Sequence, residues 1–270
     1  MAVLLKGHCL LSFYVMKNKR TIHLIFGIMA CFLTLAVITA ITLRKTPSMA
    51  LIEFDIEQDP DAILFSSFGE PPQFAIWLED PDSGNYKTLF VTYRSATGDW
   101  VGKMECPVAL PRWFDIYKKE FKKNRIPTPN SSLPQAVTGP TPKLDHFMIR
   151  THVEPKKQYI CWIEVNLAAD FNAKYSGMDE TTNIADVHFS GQPALLYRTH
   201  LDANHEHNVA PELYGVSSDD GQKILPVTDD IDSAKTIFKK IEIKVIHPKT
   251  KIIKEDPFPK SEIQQFSLSS

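Results

Sequence analysis

Cysteine is too scarce in this chain to serve as a scaffold. Of the four cysteines in 270 residues, only Cys106 and Cys161 lie beyond residue 50, and neither has a Cys-x-x-Cys or zinc-finger spacing. A single bridge would be a weak staple for a domain of roughly 200 residues, and whether the two pair stays open, because a sequence does not supply the Cα separation that the bond requires. Cys161 sits in Tyr159-Ile160-Cys161-Trp162-Ile163, a context that reads as apolar core. A glycine-rich phosphate loop is missing, which excludes the common nucleotide cradles. There is no Gly-x-Ser-x-Gly elbow either, so the plentiful serines, histidines and aspartates form no recognisable hydrolase constellation, and the chain reads as a non-enzyme. Charge of one sign is lacking too: 30 Lys and Arg stand against 32 Asp and Glu, a net charge of −2, which gives no bulk attraction for nucleic acid.

What the chain does have is an uncharged apolar run from Thr21 to Leu43, fenced by Lys17, Lys19 and Arg20 before it and by Arg44 and Lys45 after it. At about 1.5 Å per helical residue the run exceeds the roughly 30 Å hydrocarbon core, and a helix satisfies all its own backbone hydrogen bonds there. Lys6 adds to the positive charge on the N-terminal side. The positive-inside rule therefore leaves the N-terminus in the cytoplasm and the bulk of the chain in the periplasm or outside the cell. Two alternatives also export the domain. One is a cleaved signal, with Thr34-Leu35-Ala36 or Ile38-Thr39-Ala40 as cleavage site. The other is a lipoprotein acylated at Cys31. The shorter apolar stretch Val3 to Val15 cannot span, and Met16 followed by Lys-Asn-Lys-Arg reads as an alternative start.

Beyond the run, short β-type segments bounded by turn residues recur with no long helical period. They predict a mainly β domain, a sandwich with one short helix, preceded by a single N-terminal transmembrane helix. The expected strands are Ala50 to Ile56, Gln73 to Glu79, Thr88 to Tyr93, Phe147 to Val153, Tyr159 to Ala168, Ala194 to Leu201 and Lys239 to Ile246. Asp80-Pro81-Asp82-Ser83-Gly84-Asn85 predicts a hairpin turn. The helix is Pro111 to Phe121, with Trp113, Phe114, Tyr117 and Phe121 as the face that packs on a sheet; Asp232 to Ile237 reads as a short helical turn. The resulting partition is a cytoplasmic segment 1–20, anchor or signal 21–43, linker 44–50, β domain 51–254 and disordered tail 255–270. A final short strand is expected around Lys251 to Lys254. The proline-rich stretch Arg125 to Asp145 is a long connection of the kind that is functional or a linker.

In chain order, Phe74-Ala75-Ile76-Trp77-Leu78-Glu79-Asp80, Lys87-Thr88-Leu89-Phe90-Val91-Thr92, Leu110-Pro111-Arg112-Trp113, Gln135-Ala136-Val137-Thr138-Gly139-Pro140-Thr141-Pro142-Lys143, Tyr159 to Asn166 and Pro193 to Tyr197 resemble the predicted-periplasmic family called domain-of-unknown-function family 2271. The resemblance covers roughly Leu51 to Val245 and implies an immunoglobulin-like sandwich similar to that of the flagellar hook-capping protein. It also implies an accessory role beside an envelope membrane protein. The family's Asp-Ala-Val-Thr-Gly-Ala-Thr string looks like the acceptor of extracytoplasmic FMN transferases, and the resemblance implies Thr141 as the position for a covalent flavin, with a proline-and-glycine turn as the alternative. This chain departs from it at Gln135, which lacks the carboxylate, and at Pro140, which stiffens the approach.

The densest polar cluster is His200-Leu201-Asp202-Ala203-Asn204-His205-Glu206-His207. His200, Asp202, His205 and His207 are its candidate ligands for a divalent metal, and an extended chain would put His200, Asp202, Asn204 and Glu206 on one face. A solvated loop is the alternative. Asp219-Asp220-Gly221 and Asp229-Asp230-Ile231-Asp232 are carboxylate groups that turn formation and helix capping explain without an ion.

Overall fold

The computed structural model describes residues 49–247 except 104, 108, 134–137, 140–145, 180–183, 187 and 189, with the backbone of Glu262–Gln265 and three helical positions, His23, Met29 and Ala30. The rest of the run Thr21 to Leu43, together with Gln135, Pro140, Thr141 and Lys251 to Lys254, lies outside the described residues. Among the described residues no helix is long and apolar enough to cross a membrane.

In chain order the elements open with β1 (Ala50–Gln58), α1 (Pro60–Phe65), β2 (Gln73–Glu79), β3 (Tyr86–Thr92), α2 (Tyr93–Thr97), α3 (Pro111–Phe121), β4 (Thr138–Gly139), β5 (His146–Val153) and β6 (Gln158–Asn166). They continue with β7 (Met178–Asp179), β8 (Ile184–Ala185), β9 (Leu195–Asp202), β10 (His207–Val209), β11 (Glu212–Ser217), β12 (Ile224–Leu225), β13 (Phe238–Ile246) and β14 (Glu262–Gln265). Two large sheets result, in the orders β10-β13-β1-β5-β14 and β12-β11-β9-β6-β2-β3-β4, beside the small pair β7-β8. The chain is mainly β, as its sequence predicts. Seven strands fall where the turn-bounded β-type segments put them, with ends shifted by up to two residues.

In β13 the alternation holds as read: Ile241, Ile243 and Val245 are buried between polar neighbours. β1 does the same with Ala50, Ile52, Phe54 and Ile56. These faces meet the inner faces of β2, β6 and β9 in one buried cluster, where the Phe74 ring of the second sheet lies 5.5 Å from that of Phe147 in the first. The outer face of the first sheet carries a charge ladder, with a buried Glu53 at 2.7 Å from the half-exposed Arg150 and 3.7 Å from Lys244. Such pairs are worth about 0–1 kcal/mol each.

Strands β2 and β6 break the alternation because both of their faces are covered. Their outer faces lie under α3, where Trp77, Ala75 and Trp162 pack with Trp113, Ile116 and Tyr117 in a second cluster. The aromatic stripe of α3 is therefore core: Trp113 and Tyr117 are buried, while Phe114 and Phe121 pack partly buried against them. Cys161 belongs to the inner cluster and Cys106 to the outer one, so the two thiols sit on opposite faces of the second sheet, and both are free.

The predicted hairpin joins β2 to β3, with Asp80 Oδ1 accepting from the amides of Asp82 and Ser83. The expectation of one helix falls short by two. Helices α1 and α2 have six and five residues, too few for an apolar period to register. Strand β11 also escapes the pattern, because its register shifts between Leu213 and Gly215 and breaks the two-residue alternation.

Gly221 sits at φ +70°, and a Cβ there would run into the carbonyl of Pro111 at the start of α3. Gly84, at φ +67°, faces open space. Gly221→Ala is expected to lower unfolding free energy by about 2 kcal/mol or more, and Gly84→Ala by about 1 kcal/mol. Denaturant midpoints of the two variants check the difference; equal losses would show that α3 is not held there.

Candidate functional site

The most deeply buried carboxylate in the second sheet is Glu164 of β6, with no exposed surface. Helix α3 begins at Leu110, whose side chain cannot accept a hydrogen bond, so its first amides need a partner from elsewhere. Glu164 supplies it: Oε1 accepts from the Arg112 amide at 3.0 Å, Oε2 from the Trp113 amide at 2.6 Å, and Ser217 Oγ of β11 donates as well. Burial pushes the Glu164 carboxyl up to about 7, against the opposing pull of these donors. Nothing from solvent reaches this group, so it fastens the helix and is not a reaction site. Its one sequence signal is a lone charge in the apolar strand Tyr159 to Val165.

The histidine cluster is brought together only in part. Asp202 ends β9 and His207 opens β10, with a turn at 203–205 in place of the extended chain. The turn breaks the single face expected of His200, Asp202, Asn204 and Glu206. It sets Asp202 Oδ2 at 2.9 Å from His205 Nδ1, while Oδ1 accepts from the Asn204 amide at 2.9 Å. These contacts, His205 first, hold the Asp202 carboxyl down at about 2. His200, Asp202, His205 and His207 line one shallow depression of about 310 Å³. Glu206 turns elsewhere, accepting from the His247 amide at 2.9 Å. Among the described residues, no three His, Cys, Asp or Glu side chains converge closely enough to hold a metal ion.

A third polar region borders Arg94. Its guanidinium lies 3.4 Å from Glu70, which also pairs with Lys103, and the cavity of about 280 Å³ beside them is lined by Cys106 and His188. Burial pushes the Cys106 thiol up to about 11, which leaves it protonated and a poor nucleophile. The described part of the acceptor-like string, Thr138–Gly139, is β4, the edge strand running parallel to β3 at Val91 and Thr92.

The largest of these concavities, about 490 Å³, has no counterpart in the motifs of the sequence. It lies between α1, the segment Ala169 to Phe171 and the 3₁₀ turn Ser233–Thr236. Asp59 caps α1, accepting from the Asp61 amide at 3.0 Å, and Asp232 caps the 3₁₀ turn, the duty expected of it. With Asp61 and Asp170 they make four carboxylates, and no basic, histidine or cysteine side chain joins the lining. Gln192, fully buried, ties the floor together: Nε2 donates to Asp232 Oδ1 at 2.8 Å and to the Asp170 carbonyl at 3.0 Å, and Oε1 accepts from the Asp232 amide at 2.9 Å.

Asp170 is 5% exposed, and only its Oδ1 is satisfied, by the Gln192 amide at 2.8 Å; Oδ2 has no partner. Burial pushes its carboxyl up to about 8, the Gln192 amide opposing and the charge of Asp232 adding. The amide of Ser233, first among several donors, holds Asp232 below the usual carboxylate range.

No family model, no curated protein and no solved structure matches the chain.

Glu164 and Asp170 set a sign for stability against pH. In the unfolded chain they lose their protons near the ordinary 4.5 and 3.8, but in the folded chain only at about 7 and about 8. The folded state binds more protons in between, so the contribution of these two groups is full below about pH 4 and is lost as pH rises to 8. Denaturant unfolding across pH 4.5–8 is expected to give a falling midpoint. Glu164→Ala is expected to lose about 2–4 kcal/mol by stranding two amides and opening a cavity, and to flatten the profile between pH 4.5 and 7.

Proposed function

We propose that the protein is a single-pass membrane protein, N-terminus in the cytoplasm, that presents an immunoglobulin-like β-sandwich to the periplasm or cell exterior as a non-catalytic binding module. The run Thr21 to Leu43 with its flanking cations supports the anchor, and the two sheets around one core support the sandwich. The resemblance to domain-of-unknown-function family 2271 supports an accessory role beside an envelope membrane protein, by analogy of fold. The observation that carries the binding reading is the acid-lined cleft. It is open to solvent, and its four carboxylates offer a concentrated negative charge to a cationic ligand.

A second reading, an envelope redox or metal-handling component, is favoured by two features. The Asp202–His205 pair shares its depression with His200 and His207, a start on a divalent-metal site. The edge position of Thr138–Gly139 suits a string from which Thr141 would take covalent FMN.

Protease added to intact spheroplasts is expected to degrade the domain and leave a short membrane-embedded fragment; survival of the domain beside degraded exported controls would overturn the topology. Intact mass and metal analysis of the protein from its native envelope separate the two readings. An FMN adduct lost on Thr141→Ala, or a stoichiometric metal lost when His205 and His207 are changed to alanine, establishes the second. An unmodified, metal-free chain that crosslinks to a membrane protein supports the first.

A further inference from the structure

The acid-lined cleft combines three features that one ligand chemistry explains. Its carboxylates come from separate segments, Asp59 and Asp61 at the start of α1, Asp170 and Asp232 around Gln192. The single basic side chain paired with any of them among the described residues is Lys239 of β13, whose Nζ lies 3.2 Å from Asp59 Oδ1. The floor holds an unsatisfied acceptor, Asp170 Oδ2, on a side chain 5% exposed. A buried polar atom without a partner costs on the order of 1–3 kcal/mol, so native structures rarely keep one unless something visits it.

We propose that this cleft binds a small alkylammonium ligand, a diamine that sets one ammonium between Asp170 and Asp232 and the other against Asp59 and Asp61. The proposal rests on the binding-module reading and names the ligand class for it. An ammonium brings three donors and a full positive charge, which meets the empty Oδ2 and offsets the carboxylate excess together. Phe65, 82% exposed, and Phe171 also line the cleft and offer apolar surface for the alkyl chain and aromatic rings for its cations. A metal ion fits less well: calcium takes six to eight oxygens at close range, whereas these carboxylates do not converge on one point. A diamine spans separated pairs with its own chain.

Proton linkage gives the site a signature. Asp170 holds a proton at neutral pH, and an arriving ammonium favours its ionised form, so binding expels that proton into buffer. The other charged groups of the cleft are the carboxylates of Asp59, Asp61 and Asp232 and the ammonium of Lys239; hydrogen bonds hold Asp59 and Asp232 below the usual carboxylate range. Affinity is therefore expected to rise by roughly tenfold per pH unit from pH 6 toward 8 and then to level off.

The test is calorimetry of the full-length protein in mild detergent with 1,4-diaminobutane, in buffers of differing ionisation enthalpy. The expected result is saturable binding with release of close to one proton at pH 7. Asp170→Asn should abolish the proton release. Asp61→Asn, at an exposed position that the fold does not need, should weaken binding about tenfold, and Lys239→Met should strengthen it by unpairing Asp59. No binding at millimolar diamine, binding indifferent to both Asp61→Asn and Lys239→Met, or binding of calcium chloride in place of the diamine would each overturn the proposal. A protein that ignores the diamine yet still crosslinks to a membrane partner would refute the ligand and leave the binding module standing.

Discussion

The carboxylate of Glu164 at the first turn of α3 is the contact on which the second sheet depends. Strands β2 and β6 are apolar on both faces, so the sheet needs a cover on the side away from the first sheet, and α3 is that cover. Its start has no cap of its own, and Glu164 closes the deficit from below. The same carboxylate receives Ser217 of β11, while Arg112 donates to the Gly221 carbonyl at 3.1 Å, so helix, central strand and the turn after β11 are joined at one point. A second carboxylate does the matching task at the other end. Glu120, pushed up by burial, accepts from the Thr88 amide of β3 at 2.9 Å. The helix is therefore pinned to the sheet by two acids whose burial is costly, and both are satisfied by amides or hydroxyls and not by counter-charges.

Much of this was legible in the residues, and the boundary of legibility is physical. Strand β13 announces itself because its pattern of two matches a half-buried surface, and α3 because its aromatics recur at helical spacing behind Pro111. Glu164 offered only a lone charge inside an apolar run, which identifies a buried acid without naming its partners fifty residues away. The acid cleft was illegible for the same reason. Asp170, Gln192 and Asp232 are separate loops in the chain and become one network only when the fold closes. Asp232 could be read as a helix cap, and it is one; that it also faces Asp170 no local pattern reveals. The histidine cluster is the reverse case: its density is plain in the sequence, but the turn at 203–205 decides which side chains meet.

The two sheets divide the labour unevenly. The first turns a charge ladder outward and contributes to the core through its inner face. The second is packed on both faces around its centre, and the concavities described above lie where loops of distant origin meet. The candidate sites sit in those places, in keeping with the general rule that rigid strands hold and loops bind.

The pairing of β1 with β13 carries one more consequence, for the order in which the chain can fold. Leu51 lies opposite Ile246, and Glu57 opposite Lys240, so the first strand of the domain has one of its two neighbours in the last long strand. Its other neighbour, β5, is likewise far along the chain. Pairings of such separation close large loops before any contact rewards the closure, and they form slowly. As the chain emerges from its N-terminus, β5 can cover one edge of β1, while the other edge stays open until residue 246 has arrived. The first sheet is thus closed around its opening strand by two distant stretches of chain.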